Sequence, residues 1–246
     1  MLLEVLFRGF ETSVVLDVQS YVEAFNSALP FTSEAIVWKH EIYFSTPVEL
    51  GSRESRPIYR VERGGVYYWP PGKALCLFYG FSQPYTPVLY LGRIVDPLNI
   101  FYGLGPGGVE VSRHSIDDRL TKVVEVLRGL GYTAATPVRK GERTVVAYRV
   151  RGGHRYSYTL SVEDYGVYIE GEGLAKYRDD PSTIEWVQTL ESAISDRLYS
   201  RVDLTEDGYI AITATAKDLG ELPKAIEDLE KALDTIYHLL KKTGNQ

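Results

Sequence analysis

Val66-Tyr67-Tyr68-Trp69-Pro70-Pro71-Gly72-Lys73-Ala74-Leu75-Cys76-Leu77-Phe78-Tyr79-Gly80 sets two short aromatic and aliphatic runs on either side of a Pro-Pro-Gly reversal. The prolines fix φ and the glycine permits the change of direction, so the stretch predicts two strands, Val66 to Trp69 and Ala74 to Tyr79, about a tight turn. Upstream, Trp38-Lys39-His40-Glu41-Ile42-Tyr43-Phe44-Ser45-Thr46-Pro47-Val48 supplies a second aromatic run. Together the two runs can line one concave wall. Outward from them, Leu2 to Phe7 and Ser13 to Val18 read as a hairpin, and Ala35 to Val48, Ile58 to Glu62 and Val88 to Val95 read as further strands. Ser20 with Glu23 three residues on is a capping-box signature, which predicts one short helix carrying Val22, Phe25 and Leu29 before Pro30. Many short strands with one helix predict a barrel or a sandwich.

The pattern changes at Ser115. Ile116, Leu120, Val123, Val124, Leu127 and Leu130 recur at helical spacing until Gly131, with Ser115 and Asp118 as caps. Three strands follow, Thr144 to Val150, Arg155 to Val162 and Val167 to Glu170. Asp180-Pro181 opens a second helix, the strands Arg201 to Leu204 and Tyr209 to Thr215 turn at Asp207-Gly208, and Leu222 to Leu240 forms a last amphipathic helix. The expected fold class is therefore mainly β plus α+β. Residues 1–113 form a closed β-barrel with one or two short helices, and residues 114–246 form a two-layer α+β domain in the order α-β-β-β-α-β-β-α.

The 246 residues carry 27 Lys plus Arg against 33 Asp plus Glu, a formal net charge of -6. That balance removes the counterion-release term behind most nucleic-acid binding and the attraction to anionic lipid, so neither nucleic acid nor membrane is an expected partner. One cysteine, Cys76, allows no disulfide within the chain and no cysteine-based zinc site. With no basic leader and no long apolar run, the expected location is cytoplasmic. Nineteen Tyr with one Cys, one Met and seven Asn plus Gln lean away from thermolabile side chains, the direction of thermophile proteins.

Several chemical signals lead nowhere. Gly103-Leu104-Gly105-Pro106-Gly107-Gly108 matches G-x-G-x-x-G, yet strand-like Val109 to Ser112 follows it where dinucleotide binding needs a helix N-terminus. His114, His154 and His238 have no ligand spacing, so no metal and no other cofactor is expected. Tyr156 and Tyr158 beside Arg155 resemble a base-stacking sheet, but the acidic balance assigns them to core packing. Cys76 lies in an apolar run where a thiol stays protonated.

The aromatic segments 38–48 and 66–80 resemble a family of small archaeal and bacterial proteins with a cyclophilin-like barrel. The likeness spans most of residues 1–113, with Gly64-Gly65 standing where that family usually has Gly-Asp. It implies a closed barrel with a groove on its outer face, where cyclophilins bind a peptidyl-proline. It does not imply isomerase activity. That reaction needs an arginine beside the proline amide; Arg56, Arg60 and Lys39 are the nearest cations, and lysine cannot reproduce a planar guanidinium fork. The second half is similar, in element order alone, to type III secretion chaperones.

The candidate ligand-binding set is Trp38, His40, Glu41, Tyr43, Arg60, Tyr68, Trp69, Lys73 and Phe78. Aromatic rings would form its wall, with Glu41 or Lys73 at its edge. Because neighbouring strand residues point to opposite faces, only one of His40 and Glu41 is expected to face the groove. The expected function is binding of a small molecule or peptide by the barrel, with the second domain serving a protein partner or homo-oligomer assembly. Two alternatives stay open: a peptidyl-prolyl isomerase or chaperone-like proline binder, and an enzyme acting on a small metabolite.

Overall fold

A computed structural model describes residues 1–50 and 57–243. The chain divides into two compact units, Met1–Asp118 with Ala135–Arg143, and Arg119–Ala134 with Thr144–Gln246. Residues 135–143 thus group with the first unit although the sequence on both sides of them belongs to the second.

The first unit is a closed antiparallel barrel of eight strands: β1 (Leu2–Phe7), β2 (Thr12–Val18), β3 (Phe31–Trp38), β4 (Glu41–Ser45), β5 (Gly65–Trp69), β6 (Ala74–Phe78), β7 (Leu89–Ile94) and β8 (Gly107–Arg113). They run in the order β1-β2-β7-β5-β6-β4-β3-β8, and β8 pairs β1 to close the ring. Alternation along each strand decides what fills it. Leu3, Val5, Phe7, Val14, Leu16, Ile42, Phe44, Val66, Tyr68, Leu75 and Leu77 share one sealed cluster with Phe25 of the helix α1 (Val22–Ala28). Burying each such side chain contributes roughly 1.5–3 kcal/mol.

The local readings fail where polar residues make turns. Lys39 takes φ 55 and separates β3 from β4, so the expected continuous strand from Ala35 is broken and His40 lies in the turn. The run expected as a strand at Ile58 to Glu62 makes a single bridge, Ile58 to Val88. The capping box at Ser20 does not form: the N-cap of α1 is Tyr21, in the left-handed region with no side-chain cap bond, while the Ser20 N–H donates to the Leu91 carbonyl. Strand β8 directly follows the glycine-rich turn, which leaves no helix dipole for a dinucleotide phosphate.

The outer face of β1 and β2 is covered by residues 135–143. Ser13 Oγ donates to Glu4 Oε1 at 2.6 Å and accepts from the Val138 N–H at 2.8 Å. Arg143 Nη1 reaches Glu4 Oε1 at 2.6 Å, and His114 Nδ1 lies 2.9 Å from Glu4 Oε2 while its Nε2 accepts from the Thr136 N–H. Asp96, fully buried, pairs with Arg139 and accepts from the Val15 N–H. Both buried carboxylates are thereby satisfied, as the cost of an unpaired buried charge requires.

In the second unit, helix α2 (Thr121–Gly129) ends near Gly131 at φ 85. Strands β9 (Thr133–Ala135), β12 (Val145–Arg151), β13 (His154–Glu163), β14 (Gly166–Gly171), β15 (Ala175–Lys176) and β17 (Tyr209–Ala216) form one sheet, with β16 (Ser200–Leu204) also paired to β17; β12 to β17 pair antiparallel. The short pair β10 (Val138–Arg139) and β11 (Glu142–Arg143) lies in the segment 135–143 already described. Helix α3 (Pro181–Ala193) opens as its sequence predicts, with Asp180 accepting from the Thr183 N–H at 2.9 Å. The helix α4 (Leu222–Thr243) buries Leu222, Ile226, Leu229, Leu233 and Ile236. The architecture is thus a barrel plus an α+β unit, and no helix among the described residues is long and apolar enough to cross a membrane.

Candidate functional site

The strands that place Ile42, Phe44, Val66, Tyr68, Leu75 and Leu77 inward must turn Glu41, Tyr43, Tyr67, Trp69, Cys76 and Phe78 outward. The register sets Tyr43, Cys76 and Tyr67 in one row across β4, β6 and β5. On this outer face Tyr67, Cys76, Phe78 and Val88 make a second buried cluster, against which Tyr43, Ile58, Val61, Trp69 and Tyr90 pack. The barrel therefore has apolar packing on both sides of these strands.

A pocket of about 230 Å³ opens in that layer, lined by Trp38, Glu41, Tyr43, Trp69 and Cys76 from the strands and by Pro84, Tyr85 and Val88 from the β6–β7 connection. Tyr43 and Trp69 stand nearly perpendicular, 80° apart with ring centroids at 6.4 Å. Trp69 is fixed from two sides. Its Nε1 donates to Thr86 Oγ1 at 2.7 Å, and the Pro70-Pro71-Gly72 turn lies beneath its ring. The connection is held in turn by Gln83, whose amide exchanges hydrogen bonds with the Val61 backbone. Tyr85 is 88% exposed and stands at the mouth.

Glu41 is the one charged side chain among these lining residues, and it is only 5% exposed. Burial pushes its carboxyl above the ordinary range, against the opposing effects of a hydrogen bond with the Cys76 thiol and the charge of Lys39. It forms no salt bridge with any described residue. Burial and the Glu41 charge push the Cys76 thiol well up, so it stays a neutral donor.

The structure brings four of the expected site residues together, Trp38, Glu41, Tyr43 and Trp69. Tyr68 does not reach the pocket, because alternation sends it into the barrel, where its hydroxyl donates to the Val48 carbonyl at 2.9 Å. Phe78 faces outward but is sealed edge-to-face against Tyr67 at 5.6 Å. His40 packs between Tyr79 and Tyr102, at 5.8 and 5.5 Å, with its Nδ1 buried and unpartnered. Lys73 takes φ 44 at the end of the proline turn and pairs with Glu49. Arg60 is exposed and away from the lining, and Arg56 lies outside the described residues. Cys76 and Val88 are legible by alternation; Pro84 and Tyr85 carry no sequence signal, since a connecting loop has no period to read.

A second cavity of about 310 Å³ lies in the α+β unit beside Tyr132, Arg149 and Glu230. Its buried acid is already matched, since Glu230 pairs with Arg149 and Arg151 and accepts from the Tyr132 hydroxyl. Among the described residues no group of three or more His, Cys, Asp or Glu is arranged to hold a metal ion.

Comparison with known proteins matches residues 1–109 to the family model described as cyclophilin-like. The solution structure of the hypothetical protein AF2241 from Archaeoglobus fulgidus is 35% identical; the match covers 46% of this chain and 94% of that one, with a TM-score of 0.38. No curated protein matches the chain.

Proposed function

Residues 1–109 belong to the cyclophilin-like family, and on that premise we propose that the barrel is a binding module whose ligand sits in the outer-face pocket between Trp38, Tyr43, Trp69 and Tyr85. The observation that carries the reading is the combination of apolar ring walls with a single buried acid among the described lining residues, Glu41, which is the composition of small-molecule and peptide sites. At about 230 Å³ the pocket is smaller than the roughly 300–1,000 Å³ of drug-sized sites. It suits a headgroup, a side chain or a small metabolite.

Peptidyl-prolyl isomerisation is the weaker reading. Electrostatic assistance at the proline amide calls for a guanidinium, and among the described residues the pocket lining includes neither arginine nor lysine. For the α+β unit we propose partner binding or assembly, on element order alone.

Tryptophan emission tests the binding reading, because two of the three tryptophans line the pocket and the third, Trp186, lies in the other unit. Titration with a fragment library should shift emission in the wild type, and Trp69→Phe should change the response. A library that never moves the signal defeats the proposal. Robust turnover in a protease-coupled proline-peptide assay would replace it with the isomerase.

A further inference from the structure

We infer that the ligand of this pocket is an organic ammonium ion, a quaternary or methylated amine whose positive charge lies opposite Glu41 with its methyl groups against the rings. The inference rests on the pocket reading above and narrows it to one chemistry.

The first support is the state of Glu41. A carboxylate this far removed from water normally has a cation at hand, because an uncompensated buried charge is costly. Among the described residues the two other deeply buried acids of the barrel follow that rule: Asp96 has Arg139, and Glu4 has Arg143. Glu41 has, among the described residues, only the Cys76 thiol, a weak neutral donor, and the more distant charge of Lys39. The missing counter-charge is what a ligand would bring.

The second support is the walls. An aromatic face attracts a cation placed within about 6 Å of its centroid, tryptophan most strongly, and ring enclosures are how alkylated ammonium groups are recognised. Trp38, Tyr43, Trp69 and Tyr85 surround the pocket, and the Tyr43 and Trp69 planes meet nearly at a right angle. The Trp38 indole already attracts a cation: the Lys39 ammonium sits 4.1 Å from its centroid. Lys39 is exposed and keeps its water, so a dehydrated, methylated cation competes with it on favourable terms. An anion would meet Glu41 with no basic residue among the described lining to offset it.

The test uses matched probes on the full chain. Tetramethylammonium, choline and trimethyl-lysine are titrated against 3,3-dimethylbutan-1-ol, which has the shape of choline without its charge, with binding read by calorimetry and by Trp38 and Trp69 emission. At least one cation should bind ten-fold or more tighter than the neutral alcohol, and Glu41→Gln should bring the two within about three-fold. Tyr85→Ala, at an exposed loop position that the fold does not need, should weaken the cation without lowering the melting temperature, so a poorly folding Glu41 variant does not end the test. Equal or tighter binding of the neutral alcohol overturns the cation and leaves the pocket reading intact. If none of the three cations binds while other library fragments do, the cation again fails alone. Silence from every compound defeats both readings.

Discussion

The backbone at Gly72 presses against the indole of Trp69: a Cβ added to Gly72 would lie 2.4 Å from the ring carbons Cε3 and Cζ3. The ring therefore rests directly on the turn that the two prolines fix, and its pose is set by main chain. Gly72→Ala must displace it. The expected result is a loss of about 1–3 kcal/mol of stability, as for overpacked sites, and a red shift of tryptophan emission as the Thr86 hydrogen bond opens. An unchanged melt and spectrum would show that the ring relaxes freely.

Gly80 and His40 stand in the same relation. A Cβ on Gly80 would fall 2.6 Å from His40 Nδ1, and the imidazole is held by Tyr79 and Tyr102. Gly80→Ala should destabilise the protein by about 1–3 kcal/mol, and His40→Ala should recover part of that loss in the double variant. Strict additivity in denaturant melts would show that the clash is relieved elsewhere.

Acid should weaken the barrel through Glu4. Burial alone would raise its carboxyl, but the hydrogen bonds of His114 and Ser13 and the charge of Arg143 outweigh it and hold the group below its ordinary 4.5. The folded state thus releases this proton more readily than the unfolded chain. Its stabilisation is present above about pH 4.5 and is lost as the pH falls through the depressed folded value. Glu4→Gln should lower the melting temperature at pH 7 and flatten the decline between pH 5 and pH 3. Parallel wild-type and variant profiles would contradict the assignment.

Glu170 acts with the opposite sign. Burial, with Asp207, Glu206 and Asp203 nearby, pushes its carboxyl up to about 7. The folded state holds the proton more tightly, so stability is fullest below about pH 4.5 and falls as the pH rises through 7. Glu170→Gln should therefore gain about 1–2 kcal/mol at pH 8, after allowing for solvent screening, and little at pH 4. A gain of equal size at both values would point to packing in place of charge.

The barrel was legible because its strands alternate cleanly: Val66 and Tyr68 against Tyr67 and Trp69, Leu75 and Leu77 against Cys76 and Phe78. The same alternation, applied strictly, removes Tyr68 from the pocket wall and adds Cys76. The Lys39-His40 turn was hidden because neither residue is a usual turn former, and Lys39 adopts positive φ without glycine or asparagine to announce it. Residues 135–143 could not be assigned to the barrel from sequence. What places them there is a set of contacts more than a hundred residues away in the chain, such as Val138 to Ser13, and no local periodicity encodes those.

Closure of the ring by β1 and β8 has a kinetic consequence. Leu3 pairs with Arg113 and Phe7 with Val109, and Glu4 and His114 are 110 residues apart. A nascent or refolding chain can form the β1–β2 hairpin at once, yet one side of β1 keeps its backbone donors and acceptors open until the eighth strand arrives. Loop-closure entropy over that span places the barrel among slow, high-contact-order folders, in the range of milliseconds to seconds. Through that interval the open strand is the surface most exposed to pairing with another molecule, so refolding yield should fall as protein concentration rises.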